Sequence, residues 1–392
     1  MSCLAVRPRF LLRSTVSIRP LVVPPFSWIP ARPSIQPRFV SQLASQQYNT
    51  PTTATVAKTQ HSILFFGADE FSIICLKKLW EASEGRGSIA HIEVVTPPES
   101  TNKKGFKVPI RKFAKSLGIP IHSAPPKSLK DWNLPTPSGP LPFSLAVVVS
   151  FGYFIPRRII RQFSGGALNV HPSLLPKYRG AAPLQYTILN DDRESGVSII
   201  ELDEKKFDVG RIVKQSRIDV PPNTFLMDLH DRLGNLGAED LLTVVEDLET
   251  YKANAQIQDD SKASHAPKIT KEMAIIDWTR PADEIYRLHR AIGKKIPLHT
   301  TFLGRRIQLL EIIDPSSNPP ATHNTANSAP GTLHFNPSHS VLFVACGSPT
   351  SSGTSYLPVR TVKMQDKQAV KIDAFVNGYQ LKGKEGVMFG AA

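Results

Sequence analysis

Leu145–Ser150 reads LAVVVS, an apolar, β-branched run with no polar residue before its end. A strand with one wet face alternates apolar and polar residues. A strand without alternation is covered on both sides, which in practice means a parallel sheet layered between helices. The flanking segments fit that sheet. Ile63–Phe66 is a short apolar run closed by Gly67, with a helical pattern to about Trp80. Ile92–Val95 reads as the next strand, Pro109–Leu117 as a helix, Ile119–His122 as a third strand and Ala167–His171 as the strand after LAVVVS. Strand, tight turn and helix in repetition predict an α/β, Rossmann-like domain with a mostly parallel sheet, bounded at 62–250. Gly67 lacks the G-x-G-x-x-G spacing, so a dinucleotide cofactor is not supported. Ligands of open α/β sheets sit beyond the carboxyl ends of strands. Gly152 and Tyr153, just past LAVVVS, are therefore candidate ligand contacts, although Tyr153 also fits a core aromatic.

Leucines at core-like spacing in Pro221–Thr250 predict a helix that closes this domain. A polar connection, 251–266, leads to a second unit at 267–392. It opens with Ile276-Asp277-Trp278 and a helix from Pro281 to Ile292. The short runs Leu298–Phe302, Arg306–Ile312, Gly331–Phe335, Val341–Ala345 and Leu357–Met364 predict a small β-barrel. Pro315–Pro330 and Cys346–Ser355 have the composition of surface loops.

Charge and address come from the ends. The formal net charge is +14. Residues 1–48 hold six arginines and no Lys, Asp or Glu, so they account for six of those charges and leave +8 on the rest. An Arg- and Ser-rich, acid-free stretch broken by prolines reads as an organelle-import presequence, here to the mitochondrial matrix. Residues 49–61 read as a linker. No segment is long and apolar enough to span a bilayer. The basic body suits a polyanion such as RNA, or carries a generic solubility charge. Cys3, Cys75 and Cys346 are too far apart for a disulfide framework or a zinc site, and no metal is expected.

The chemistry concentrates in Leu168–Ile212. Period two puts Asn169 and His171 on one strand face. A carboxamide can donate to an oxygen that becomes an oxyanion, and an imidazole can carry a proton near neutral pH. Asp208, in Asp-Val-Gly, is the candidate acid to orient that imidazole, and Asp191, Asp192, Glu194, Asp203 and Glu204, in turn-like or charged contexts, are its rivals. On residue types alone, Asn169 and His171 read more readily as strand-end hydrogen bonders with no chemical task.

The strings Asn169-Val170-His171-Pro172-Ser173-Leu174-Leu175-Pro176, Arg179-Gly180-Ala181-Ala182-Pro183 and Asp208-Val209-Gly210 resemble the folate-dependent formyltransferases, and within them the methionyl-tRNA formyltransferases. The resemblance is strong over Ile63–Val220 and weaker beyond. It implies that Asn169, His171 and Asp208 carry formyl transfer, and that Ser173, Leu174, Leu175 and Pro176 line the folate site with Gly152 and Tyr153. It also implies 10-formyltetrahydrofolate as donor, initiator methionyl-tRNA as acceptor, an OB-like barrel and a monomer acting without a membrane. Candidate tRNA contacts are Lys103, Lys104, Lys107, Arg179, Lys268, Arg305 and Arg306. Two readings stand beside it: a formyltransferase or formyl hydrolase for a small substrate, and a silent RNA-binding homologue. Two segments depart from the family's pattern. Gly293-Lys294-Lys295-Ile296-Pro297 replaces an Asn-Pro-Trp-Pro-like turn, and the basic loop Thr96–Lys107 is short.

Overall fold

The computed structural model describes residues 60–85, 87–99, 107–317, 328–348 and 354–390. The expected presequence, Lys103 and Lys104 lie outside the described residues. So does the linker up to residue 59; His61 already belongs to the first strand.

Seven strands form the first sheet. They are β1 (His61–Gly67), β2 (Ile89–Thr96), β3 (Ile121–Ser123), β4 (Leu145–Val149), β5 (Ala167–His171), β6 (Glu194–Glu201) and β7 (Ile212–Asp219). Their order is β3-β2-β1-β4-β5-β6-β7. The first five pair in parallel, and β6 and β7 add antiparallel strands at one side. Every residue of β4 is buried, as its composition requires. From β1 the chain winds outward to β2 and β3, then returns to the other side of β1 as β4. That reversal opens a crevice at the carboxyl ends of β1 and β4.

Helices α1 (Glu70–Ser83), α2 (Pro109–Ser116), α3 (Arg157–Ile160), α4 (Pro183–Leu189), α5 (Leu226–Glu246) and α6 (Leu248–Ala253) belong to this half. Asp69 starts α1 by accepting the Ser72 N–H at 3.1 Å. That bond satisfies an amide the helix itself leaves free. Helix α5 buries Leu226, Leu229, Leu233 and Leu241. Each such burial stabilises the fold by roughly 1.5–3 kcal/mol.

The second half holds α7 (Ala282–Ile292), β8 (Leu298–Phe302), β9 (Arg305–Ile312), β10 (Leu333–Asn336), β11 (Val341–Cys346), β12 (Ser355–Met364), β13 (Ala369–Lys371) and α8 (Ile372–Gly378). Its strands form a six-stranded antiparallel sheet, ordered β10-β11-β12-β9-β8 with β13 on β12. Trp278 stacks on Phe389 at 6.0 Å, and Phe302 meets Phe389 edge-on at 5.7 Å. The Trp278 indole N–H donates to Thr300 Oγ1 at 3.2 Å, so the ring is buried without orphaning its donor.

The halves share one continuous apolar core that includes Leu226, Ile285 and Tyr286. Arg290 of α7 is buried and donates to the Thr224 carbonyl at 2.9 Å. The connection between them is anchored rather than loose. Its first residues complete α6, and Gln256 then exchanges both backbone hydrogen bonds with Ile212, at 2.7 and 2.9 Å. No described helix is long and apolar enough to cross a membrane.

Candidate active site

A cavity of about 570 Å³ lies at the carboxyl ends of β1, β4 and β5. That is the size range of small-molecule and cofactor sites. Leaving β4, the chain passes Ser150 with φ +48° and Gly152 with φ +80°, which swings Gly152 and Tyr153 into the cavity wall. Phe154 and Phe207 pack edge-to-face at 5.2 Å and line the same side. Asn169, His171 and Asp208 line it from the sheet and from the loop after β6. Asp69, Phe71, Met227, His230 and Lys295 line it too.

The imidazole of His171 is almost wholly buried and doubly constrained. Its Nδ1 lies 2.9 Å from Ser173 Oγ. The Ser173 hydroxyl already donates to the Lys177 carbonyl at 2.7 Å. A hydroxyl has one hydrogen, so its oxygen accepts from His171 Nδ1–H. That leaves Nε2 as the working nitrogen. It is buried without a hydrogen-bond partner and stands 3.6 Å from Asp208 Oδ2, too long for a hydrogen bond and close enough for charge attraction.

Asp208 is held at φ +58°, a left-handed backbone that a non-glycine residue adopts at a cost of roughly 1–2 kcal/mol. Its Oδ2 accepts the Gly180 N–H at 2.9 Å. Burial alone would raise its carboxyl pKa. The nearby imidazole of His171, the Gly180 N–H and the Arg179 charge outweigh it, so the pKa lies below the ordinary carboxylate value. The two glycines of the motifs are required by space. A Cβ on Gly210 would lie 1.8 Å from the Glu201 carbonyl oxygen. One on Gly180, where φ is +122°, would lie 2.7 Å from that of Ala266.

Several expected residues fall elsewhere. Ser173, Leu174, Leu175 and Pro176 do not line the cavity, whereas Pro172 does. Their turn lies behind His171. Ser173 faces the imidazole, and the Leu175 N–H donates to Ser198 Oγ at 3.1 Å. The turn packs instead on the neighbouring strands, where Ser198 Oγ donates to the Ser173 carbonyl at 2.7 Å and Gln215 Nε2 to the Leu175 carbonyl at 3.0 Å. Arg179 is also reassigned. It is only 9% exposed, and its guanidinium is spent on Gln258 and Asp260, so it does not offer its charge to phosphates. Lys107, Lys268, Arg305 and Arg306 are exposed and do not line the cavity. Arg306 shares a small surface cleft of about 190 Å³ with Gln308 and Lys363, between β9 and β12.

Phe154 and Phe207, Asp69 and Phe71 at the start of α1, Met227 and His230 of α5, and Lys295 are additions that the motifs do not announce. Phe207 is 60% exposed, and a large apolar residue beside a charged run is the one local signal that points to it. Asp69, His230 and Lys295 come from three distant segments and carry no shared spacing.

A carboxamide, a tautomer-fixed imidazole and a carboxylate around one cavity of an α/β sheet are groups that can serve acyl-type transfer to an amine. Comparison with known proteins narrows this. Residues 63–245 match the formyl transferase family, and residues 268–380 match its C-terminal domain. The chain is 33% identical to human mitochondrial methionyl-tRNA formyltransferase over 89% of its own length and 85% of the relative's. It is 32% identical to the methionyl-tRNA formyltransferase of Nitrosococcus oceani, over 81% and 93%. Among solved structures it shares the fold of HypX from Aquifex aeolicus in complex with tetrahydrofolic acid. There the TM-score is 0.51 at 15% identity, and the match covers 85% of this chain and 51% of that one, so the chain spans about half of HypX. It likewise shares the fold of an N-formyltransferase from Helicobacter canadensis, in complex with folinic acid and dTDP-3-aminofucose, with TM-score 0.51 at 15% identity over 79% and 100%. The chain is a formyl-transfer enzyme of the α/β class. It belongs to the methionyl-tRNA formyltransferase family.

Proposed function

We propose that this enzyme moves the formyl group of 10-formyltetrahydrofolate to the α-amino group of methionine on initiator methionyl-tRNA, inside mitochondria. The observation that carries the reading is the meeting of Asn169, His171 Nε2 and the Asp208 carboxylate at one cavity. The incoming neutral amine attacks the formyl carbon, and a tetrahedral oxyanion forms. Asn169 donates to that oxygen. His171 Nε2 takes the proton the amine sheds, while Ser173 keeps Nδ1–H in place and Asp208 balances the imidazolium charge. The same proton then goes to the folate nitrogen as its bond to carbon breaks, so no net proton is consumed. Each preorganised donor or proton carrier of this kind is worth on the order of 10²–10³ in rate. The aromatic wall of Tyr153, Phe154 and Phe207 suits a flat pteridine. The exposed basic residues Lys107, Lys268, Arg305, Arg306 and Lys363 suit the phosphates of the tRNA body. The Arg-rich stretch 1–48 and the mitochondrial relatives support the location.

The test is formyl transfer from 10-formyltetrahydrofolate to charged initiator tRNA, run against small amines such as amino-sugar nucleotides. Turnover on the charged tRNA is expected. Turnover confined to a small amine would contradict the acceptor assignment, and no turnover on either would contradict the enzymatic reading.

A further inference from the structure

The connection 251–266 reaches into the active site from behind, through one side chain. Gln258 is 8% exposed. Its Nε2 donates to two carbonyl oxygens of the acid-bearing loop, Asp208 O at 2.9 Å and Gly210 O at 2.8 Å. Its Oε1 accepts from Arg179 Nε at 3.1 Å and from the neighbouring NH2 at 2.7 Å. The amide orientation is unambiguous, because a guanidinium only donates and a carbonyl only accepts. All the strong bonding capacity of the glutamine on this side is thus used, in a buried place where an unmade bond costs about 1–3 kcal/mol.

The arrangement explains how Asp208 keeps a backbone conformation it would not choose. The two carbonyls flank the left-handed turn, and one –NH₂ group pins both. Arg179 fixes the glutamine in turn, and the backbone fixes Arg179. Its N–H donates to the Ser264 carbonyl and its carbonyl accepts the Ala266 N–H, both at 2.8 Å. The adjacent Gly180 N–H holds the Asp208 carboxylate itself. The backbone of the acid is therefore clamped by Gln258, from the connection that leads into the second sheet, and its carboxylate by Gly180, next to the arginine that fixes Gln258.

We infer that Gln258 is a positioning residue for formyl transfer: its two N–H donors hold the Asp208 turn so that the carboxylate faces His171 Nε2, and they tie that geometry to the connection between the two halves. The inference rests on the reaction proposed above.

Gln258→Glu separates its two roles. A glutamate keeps, and strengthens, the acceptor for Arg179 but cannot donate to the loop carbonyls. Gln258→Leu removes both. Kinetics of formyl transfer to charged initiator tRNA are measured for the wild type and both variants, with thermal melts. The Asp208 carboxyl titration is followed by ¹³C NMR, using Asp208→Asn to assign the signal. The expected result is a fall in kcat of about tenfold or more in both variants, as the removal of one positioning hydrogen bond would give. KM for both substrates stays within about threefold, and the Asp208 titration moves up towards the ordinary carboxylate range as its partners loosen. A Gln258→Glu enzyme with wild-type kcat and an unmoved titration would overturn the inference. So would a loss of kcat that follows melting temperature and disappears on cooling, since that marks a merely structural glutamine. If the wild type itself transfers no formyl group, the reaction reading fails. The titration then still decides whether Gln258 holds the acid.

Discussion

The carboxyl edge of the first sheet and the outer face of the second handle polar groups in opposite ways. At the first, the polar groups around His171 Nε2 are mostly buried and held by named partners, which leaves that nitrogen free for the substrate. Ser173 holds one nitrogen of His171, Gly180 holds Asp208, and Gln258 holds the loop that carries it. At the second, Arg306 and Lys363 stand exposed on adjacent strands, with Arg306 resting on His299 at 3.2 Å. Preorganised dipoles in a dry cavity accelerate a reaction because they do not reorganise as charge develops. Exposed cations on flexible stems do little for a reacting atom, but they attract a polyanion and release its counterions. Chemistry and RNA retention thus call for different physical surfaces, and under the proposed function the first edge suits the one and the exposed cations of the second sheet suit the other.

The contrast predicts a split between rate and affinity. The largest effect belongs to His171→Ala. It should lower kcat by about 10²–10³ while leaving the Kd for tRNA within about twofold, as read by single-turnover kinetics and filter binding. Loss of tRNA binding with an intact rate would invert the comparison. A smaller effect follows for Ser173→Ala. The imidazole Nδ1–H then loses its buried acceptor, worth about 1 kcal/mol net. The expected fall in kcat is roughly fivefold to tenfold, with a matching loss in stability by urea titration. An unchanged kcat would mean that His171 is oriented by something other than Ser173.

How much of the molecule is legible in its sequence depends on how local the determining interactions are. The parallel core is readable because LAVVV must be covered on both faces, and β4 and β5 stand where that pattern puts them. The pairing of Asn169 with His171 follows from strand period alone. Strand β7 escapes a pattern reading because its outer residues are polar and charged, as an edge position permits. Arg179 looks like a free cation in its motif, since the motif does not reveal that its partners lie 79 and 81 residues downstream. Gln258 is hidden for the same reason. A glutamine in a polar stretch has the composition of a linker, and only the fold brings it under Asp208. The Ser-Leu-Leu-Pro turn is legible as a turn, but the side of the imidazole on which it lies is not. Sequence period carries no information about the direction in which a turn leaves the sheet.

One measurement addresses the division of labour directly: the salt dependence of methionyl-tRNA binding in an Arg306→Glu, Lys363→Glu double variant, with the single-turnover formylation rate at saturating tRNA taken on the same samples. The two surfaces being separate, the slope of log affinity against log salt should shrink by about 1 for each phosphate that is no longer neutralised, and the saturated rate should match the wild type. An unchanged slope, or a saturated rate that falls with the affinity, would contradict the assignment of RNA retention to the second sheet and of chemistry to the first.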